Sequence, residues 1–289
     1  MNESATLLEI NEVNFWLLVY DDPFNKRIRI DDYYGGIAPV IDYVENLMKE
    51  KKREKLIIKV RSEHFKEFLE RGFTCEAIID HYYLGSTMYF FTKYFDQKRN
   101  QNDHWITEDQ ILGSINGMEI STDTLQPPNE YHLKKVDATD AEKLALLYQT
   151  VFKIYPTPLH DSEYIKETIE DGTIYYAFYC NGAIVSAASA EVNRMYRNAE
   201  LTDCATLTEH RKHGLMKILL KKLELELFDQ GIYCSYSIAR SLSFGMNAVL
   251  HQLGYRYRGR LKNNVFIYDK LENMNVWVKN LADTPNFRQ

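Results

Sequence analysis

No stretch of this 289-residue chain approaches the ~20 consecutive apolar residues that a membrane-spanning helix needs. The Met-Asn-Glu-Ser start carries neither a basic leader nor an apolar signal core. Cysteine is scarce as well. Cys75, Cys180, Cys204 and Cys234 show no paired spacing, and each sits in an apolar context. That pattern argues for buried free thiols in a reducing compartment, not for disulfides or a metal site. Positive charge is in deficit, and the net charge of −6 gives no broad field to draw nucleic acid or an acidic membrane. The one basic run, Lys49 to Lys55, is diluted by Glu50 and Glu54 and falls at the end of an expected helix, where cations are favoured. These absences leave the expectation of a cytoplasmic protein that engages neither nucleic acid nor membrane.

A hydrophobic content of 45% and a charged content of 26% are those of an ordinary globular protein, and the length suggests about two domains. The 21 tyrosines suit polar pocket walls and half-buried packing with a wet tip. The boundary is expected between Gln97 and Asn129, where a polar run and Pro127-Pro128 disfavour regular structure, with a short helix near Glu108 to Leu112. We therefore divide the chain into residues 1–128 and 129–289. In the first part, strands are expected at Phe15 to Tyr20, Lys26 to Ile30 and Leu56 to Val60, helices at Ile37 to Lys52 and Glu63 to Arg71, and a strand pair at Glu76 to Tyr83 and Thr87 to Phe95. In the second part the order is a strand at His132 to Val136, helices at Asp140 to Phe152 and Ser162 to Asp171, and a hairpin through Asn181-Gly182. A strand at Ala199 to Leu207 follows, then a helix from Met216 to Phe228, a strand at Ile232 to Ile238, a helix at Leu242 to Leu253, and strands at Tyr255 to Gly259 and Val265 to Tyr268. Leu56 to Phe95 and Ile232 to Tyr268 share one order (strand, helix, Gly-aromatic, strand, strand), which suggests two related α/β units.

The segment from Cys204 to Met216 carries the strongest chemical signal. An apolar strand runs through Arg211-Lys-His-Gly214 directly into an amphipathic helix. A glycine turn that opens a helix leaves a cluster of unpaired backbone N–H groups at the positive end of the helix dipole, an arrangement suited to a pyrophosphate. The first part has no comparable phosphate turn and is expected not to hold that group.

With this element order, the second part resembles the acetyl-CoA-dependent N-acetyltransferase (GNAT) superfamily. Its cofactor signature, Gln/Arg-x-x-Gly-x-Gly/Ala, reads here as Arg211-Lys-His-Gly214-Leu-Met216, with methionine in place of the final small residue. Over nearly the whole chain, Asp203 to Arg211, Ser243 to Ala248, Leu253 to Tyr257, Asn263-Asn264, Asn25 to Arg29 and Gly72-Phe73 resemble the beta-lysine N-acetyltransferase family. That family is held to acetylate the side-chain amine of beta-lysine, a product of lysine aminomutase, giving a compatible solute. The resemblance implies a GNAT fold, a mixed and mostly antiparallel sheet flanked by helices, preceded by a smaller, degenerate GNAT-like α/β domain. That first domain either shapes the acceptor pocket or makes a homodimer contact.

The resemblance also implies site roles. Acetyl-CoA as co-substrate would be held by the backbone of Arg211, Lys212, His213, Gly214, Leu215 and Met216, by the edge of the strand Cys204, Ala205, Thr206 and Leu207, and by Asn247. An N–H near Cys204 or Ala205 would polarise the thioester carbonyl. An alkyl ammonium has a pKa near ~10.4 and must lose a proton before it attacks. Glu200, eleven residues before Arg211, is the candidate base. Glu191 and Asp203 would add negative charge for a dibasic acceptor, although strict alternation turns Glu200 and Asp203 to opposite faces unless a bulge intervenes. Many members place an acidic tyrosine where this chain has Leu250, which leaves Tyr236 and Tyr255 as candidate acids, with His251 and Ser243 behind them. An acceptor carboxylate would need a cation, and Arg194, Arg197, Arg240 and Arg258 are candidates. No metal is expected. Two alternatives stand beside beta-lysine acetylation: transfer to another amine or a protein lysine, and a non-catalytic acyl-CoA sensor.

Overall fold

We describe residues 5–120, 126–152, 157–267 and 270–283 of a computed structural model of the chain. Met1 to Ser4, Leu125 and the expected strand end at Tyr268 lie outside the described residues. The first half contains β1 (Thr6–Asn11), β2 (Phe15–Asp22), β3 (Arg27–Gly35), α1 (Ile37–Lys51), β4 (Lys55–Arg61), α2 (Phe65–Glu70), β5 (Thr74–His81) and β6 (Gly85–Tyr94). After α3 (Trp105–Asn116) come β7 (His132–Lys135), α4 (Ala141–Val151), α5 (Ser162–Glu170), β8 (Ile174–Cys180), β9 (Ala183–Asn193) and β10 (Asn198–Thr206). The chain continues through α6 (Leu215–Asp229), β11 (Cys234–Arg240), α7 (Phe244–Gln252), β12 (Arg256–Ile267) and β13 (Lys270–Asn280).

Among the described residues the strands form one 13-stranded sheet, in the order β1-β2-β3-β4-β6-β5-β12-β13-β11-β10-β9-β8-β7. This order contains a repeat. In each half an antiparallel meander (β1 to β3, or β8 to β10) leads through a helix (α1 or α6) to a strand parallel to the meander's last member. A second helix follows, then a hairpin whose later strand inserts beside that parallel strand. The similarity between Leu56 to Phe95 and Ile232 to Ile267 is therefore part of a longer correspondence.

Alternation of side chains sets the layers. In β4, Leu56, Ile58 and Val60 face the α1–α2 core of the first half, while Ile57 faces the opposite way. In the second half α6 and α7 cover one face of the sheet, with Leu219, Leu223, Leu250 and Trp277 at the centre, and α4 and α5 cover the other face over β8 and β9. The helix-free faces of the two halves then bury each other. Ile57, Ile79, Met88 and Phe90 pack against Tyr236, Leu261, Val276 and Val278.

The seam between the halves is the antiparallel contact of Ala77 in β5 with Gly259 in β12. Gly259 has φ +130, and a Cβ there would stand 2.4 Å from the Glu76 carbonyl oxygen and 2.6 Å from the Ala77 Cα. Around the seam, the buried Lys55 donates to Glu76 at 2.8 Å and to the Lys262 carbonyl at 2.6 Å. Arg27 reaches the Asn264 carbonyl at 3.1 Å, Arg99 the Asn263 carbonyl at 3.0 Å, and the Phe266 N–H donates to the Asn25 side chain at 2.6 Å. The two sequence runs Asn25 to Arg29 and Asn263-Asn264, far apart in the chain, meet here.

The structure departs from the sequence reading in four places. β1 was not anticipated, and neither was β13. Tyr255 to Gly259 and Val265 onward belong to one bulged strand, β12. The interdomain helix has 12 residues, and its Ile115 enters the core of the second half. β13 reads as polar because it carries Asn273 and Asn275, which are fully buried. The sheet accepts them because their amides are bonded: Asn273 to Glu108 and to the Asn263 N–H, Asn275 to Asn247, Ser241 and Arg260. Gly259→Val should lower unfolding free energy by about 1–3 kcal/mol through overpacking at the seam, read by urea denaturation. An unchanged midpoint would mean that the two halves do not depend on this close approach.

Candidate active site

Parallel pairing of β10 with β11 covers three register positions and ends at Glu200↔Tyr236. Beyond that point β10 continues to Thr206 and β11 to Arg240 without pairing to each other. On its other edge, β10 stays paired with β9 through Thr206↔Ser186, with a bulge between Thr202 and Ala205. A strand whose partner diverges offers its backbone N–H and C=O groups to an extended ligand. The opening leads into a cavity of about 1550 Å³.

One wall of this cavity is the turn into α6. Arg211, Lys212, Gly214, Leu215 and Met216 line it. Lys212 and Gly214 take left-handed φ values of 71 and 70, which turns successive N–H groups inward as in an anion-binding nest. No side chain caps the N-terminus of α6, so its first-turn donors are left for a ligand. The corresponding turn in the first half is built differently. β3 passes to α1 through Gly35-Gly36 alone. The Gly36 N–H is bonded to the Asn14 carbonyl at 2.9 Å, and a Cβ on Gly35 would lie 2.3 Å from that same oxygen. Pro39 removes a further donor. The glycine pair, which the sequence reading passed over, serves the close approach of the β2 backbone.

The other wall is acidic. Glu191 and Glu200 are cross-strand partners on β9 and β10. The bulge gives Asp203 a φ of +50 and brings it into the same cavity as Glu200, resolving the conflict that strict alternation posed. Asp203 accepts a hydrogen bond from Ser189 at 2.7 Å. Glu191 is exposed and Glu200 half-buried, because the cavity reaches them, yet protein surrounds both. Desolvation raises the Glu191 carboxyl above the ordinary carboxylate range, and repulsion from Glu200 and Asp203 adds to it. Desolvation also raises Glu200, but Lys59 and Arg29 pull it back, and a hydrogen bond from Tyr236 favours its charged form. The two carboxyls titrate as a coupled pair, both raised above the ordinary carboxylate range.

A family model described as Acetyltransferase (GNAT) family matches residues 142–255. The chain is 38% identical over 262 residues to the N-acetyltransferase YodP of Bacillus subtilis (strain 168), covering 90% of this chain and 94% of that protein. It is 34% identical over 271 residues to a Beta-lysine N(6)-acetyltransferase of Methanococcus maripaludis, covering 94% and 98%. A protein of the same name from Methanosarcina mazei is 33% identical over 270 residues, covering 86% and 100%. The chain belongs to the acetyltransferase (GNAT) family. It is an acetyl-CoA-dependent N-acetyltransferase, with a GNAT fold preceded by an additional α/β half.

The residues singled out from the sequence divide accordingly. Glu191, Arg194, Glu200, Asp203, Cys204, Thr206, Arg211, Lys212, Gly214, Leu215, Met216 and Tyr236 all line the cavity. Ala205, Leu207 and His213 lie off it. The Ala205 carbonyl accepts from Ser186, the Leu207 N–H donates to the Val185 carbonyl at 2.9 Å, and the His213 ring leans on Tyr131. Asn247 requires a correction. It is fully buried and donates to the Arg240 and Ser243 carbonyls, while its Oδ1 accepts from Asn275 and Trp277. Its hydrogen-bonding capacity is spent inside the fold. Tyr255 also needs correcting as a candidate acid: it is buried in the α6–α7 core, bonded to Ser235 at 2.7 Å. Leu250 is a core residue, and His251 bonds the Met118 carbonyl at 2.9 Å. Arg240 is held by both oxygens of Glu272, Arg258 by Asp80, and Arg197 stands over Gly231 away from the cavity.

Sequence reasoning allowed the first half a role in shaping the acceptor pocket but named none of the residues it contributes. Tyr20, Arg29, Lys59 and Tyr82 line the same cavity, with Arg29 and Lys59 near enough to Glu191 and Glu200 to act on both carboxyls. The charged pair at alternate positions 29 and 31 of β3, facing a lysine on β4, was the available signal. Because Glu191 repels a second negative charge, Glu191→Gln should move the acid limb of the kcat/KM profile toward lower pH by about one unit. A limb that stays in place in the pH–rate profile would separate Glu191 from the base.

Proposed function

We propose that the enzyme acetylates the side-chain amine of a small diamino acid, of which beta-lysine is the favoured member, with Glu200 as general base. The observation that carries this reading is the bulge after Thr202, which gathers Glu191, Glu200 and Asp203 beside the diverging β10 edge and the uncapped α6 turn. The names of two relatives, each similar over most of its length, support the choice of acceptor.

The donor set fits acetyl-CoA. The N–H groups of Lys212 to Met216 would hold its pyrophosphate and the unpaired edge of Cys204 to Thr206 its pantetheine arm, and when bound it supplies a thioester carbonyl as electrophile. Glu191 and Asp203 would attract the cationic acceptor. Glu200 would take the first proton from the ammonium, directly or through one water. As the nitrogen–carbon bond forms and the carbon–sulfur bond breaks, the nitrogen loses its second proton and the sulfur leaves as thiol once it gains one. Burial, then Glu200, keeps the Tyr236 hydroxyl far above its usual range. We therefore assign Tyr236 to holding the Glu200 carboxylate rather than to protonating sulfur, since a phenol so reluctant to ionise is a poor acid. The described cysteines are unpaired, which supports a cytoplasmic setting. We take residues 1–128 as a unit that shapes the acceptor pocket and 129–289 as the catalytic unit.

Glu200→Gln should lower kcat about 100-fold or more near neutral pH, with partial recovery as pH rises and free amine becomes available. A loss constant across pH, in a thiol-release assay with beta-lysine, would give Glu200 a binding role instead. Gly214→Glu places a side chain at a left-handed position and a negative charge at the helix N-terminus. It should weaken acetyl-CoA binding about 100-fold, near 2.7 kcal/mol, by calorimetry, with the thermal midpoint lowered by only a few degrees, about the cost of one left-handed side chain. Undiminished affinity would remove the α6 turn as the cofactor site.

A further inference from the structure

We infer that the first half supplies a carboxylate-reading subsite, formed by Arg29 and Lys59 around Asp31, which selects zwitterionic diamino acids over plain diamines. The inference rests on the acetyl-transfer reading and adds the second recognition point of the acceptor.

Arg29 lies on β3 and Lys59 on β4, strands that pair in parallel, and both side chains line the cavity. Arg29 grips Asp31 through Nε at 2.6 Å and Nη2 at 2.9 Å, and Lys59 meets Asp31 at 2.7 Å. Two cations share one carboxylate, so the group carries a net positive charge. Asp31 also fixes the geometry of both side chains, which limits the entropy lost when a ligand binds. Donors remain for that ligand. Arg29 has Nη1 beyond its Asp31 fork, and Lys59 uses two donors, on Asp31 and on the Tyr82 hydroxyl at 3.3 Å.

The position of this group matters as much as its charge. Lys59 Nζ lies 5.7 Å from the Tyr82 ring centroid, the Tyr82 and Tyr236 centroids are 5.9 Å apart, and Tyr236 bonds Glu200. The two rings lie beside both groups, and Lys59 and Arg29 are near enough to Glu200 and Glu191 to lower their carboxyls as well. An extended diamino acid with its reacting nitrogen at Glu200 can direct its carboxylate toward Arg29 and Lys59. The acidic wall carries Glu191, Glu200 and Asp203, which suit the ammonium groups. A polyamine would satisfy the acidic wall and be repelled by Arg29 and Lys59, whereas a diammonium monocarboxylate satisfies both. The other cationic candidates are less suited. Arg240 is neutralised by Glu272 and Arg258 by Asp80, while Arg194 also lines the cavity, at its Gly172 side and on the half that carries the carboxylates.

The test compares beta-lysine with 1,4-diaminopentane, the same skeleton without its carboxylate, in a thiol-release assay. Wild-type enzyme should show a KM for beta-lysine roughly 10- to 100-fold lower than for 1,4-diaminopentane, the range of a hydrogen bond to a charged group. Lys59→Met should reduce the ratio of the two kcat/KM values by a similar factor, mostly through the KM for beta-lysine, and Lys59→Arg should restore part of it. Assays above the acid limb keep any change in the Glu200 carboxyl out of the comparison. Equal KM values for the two acceptors in wild-type enzyme, or an equal loss for both in Lys59→Met, would overturn the subsite while leaving acetyl transfer intact. Absence of amine-dependent thiol release with every acceptor would instead overturn the acetyl-transfer reading, and the subsite with it.

Discussion

The end of pairing between β10 and β11 is the constraint on which the site depends. Were the two strands to pair to their ends, the β10 backbone would be satisfied within the sheet and would have nothing to offer an extended ligand. Pairing stops at Glu200↔Tyr236, and the bulge that follows absorbs the change in strand direction. The same bulge turns Asp203 onto the face of Glu200. One irregularity thus exposes backbone groups, opens the cavity and gathers its negative charge. The cost is a non-glycine residue at positive φ, offset by the Ser189 hydrogen bond to its side chain.

The second constraint is the seam. Each half has a sheet face that its own helices leave bare, and the two bare faces cover each other. The approach is close because Gly259 has no Cβ, and the desolvated Lys55, Arg27 and Arg99 find backbone carbonyls across it while carboxylates of their own half hold them. This packing carries β3 and β4 over the mouth of the site, so the first half, whose own helix turn is closed by Gly36 and Pro39, contributes side chains rather than a second cofactor cradle. The first half brings the cations Arg29 and Lys59 to the cavity, while Glu191, Glu200 and Asp203 come from the second.

Much of this was legible in the chain. Helix ends at Lys51, Glu70 and Asp229 fall within a residue or two of where periodicity and glycine placed them. The strand–turn–helix at Cys204 to Met216 was evident because it is local: neighbouring residues build both the donors and the dipole. Glu200 was proposed through the family resemblance, which expects a glutamate on the strand before the turn, and β10 carries it. The bulge was named as the condition for Asp203 to join it, but no residue in Thr202-Asp203-Cys204 announces a bulge by itself. β13 was missed because buried asparagines imitate a loop until their partners on β11, β12, α3 and α7 are known. Asn247 was assigned to the site through the resemblance and Tyr255 through its nearness in sequence, and the fold turns both inward.

The sequence by itself determined the order of elements and the phosphate-type turn, since each arises from contacts within a few residues. The tertiary structure alone decided which polar side chains face the cavity, that Tyr236 rather than Tyr255 meets Glu200, and that Arg29 and Lys59 line the same cavity. Those outcomes depend on how two distant sheet faces pack together, and period-two alternation along a strand fixes only that neighbouring side chains oppose each other, not which face meets the ligand.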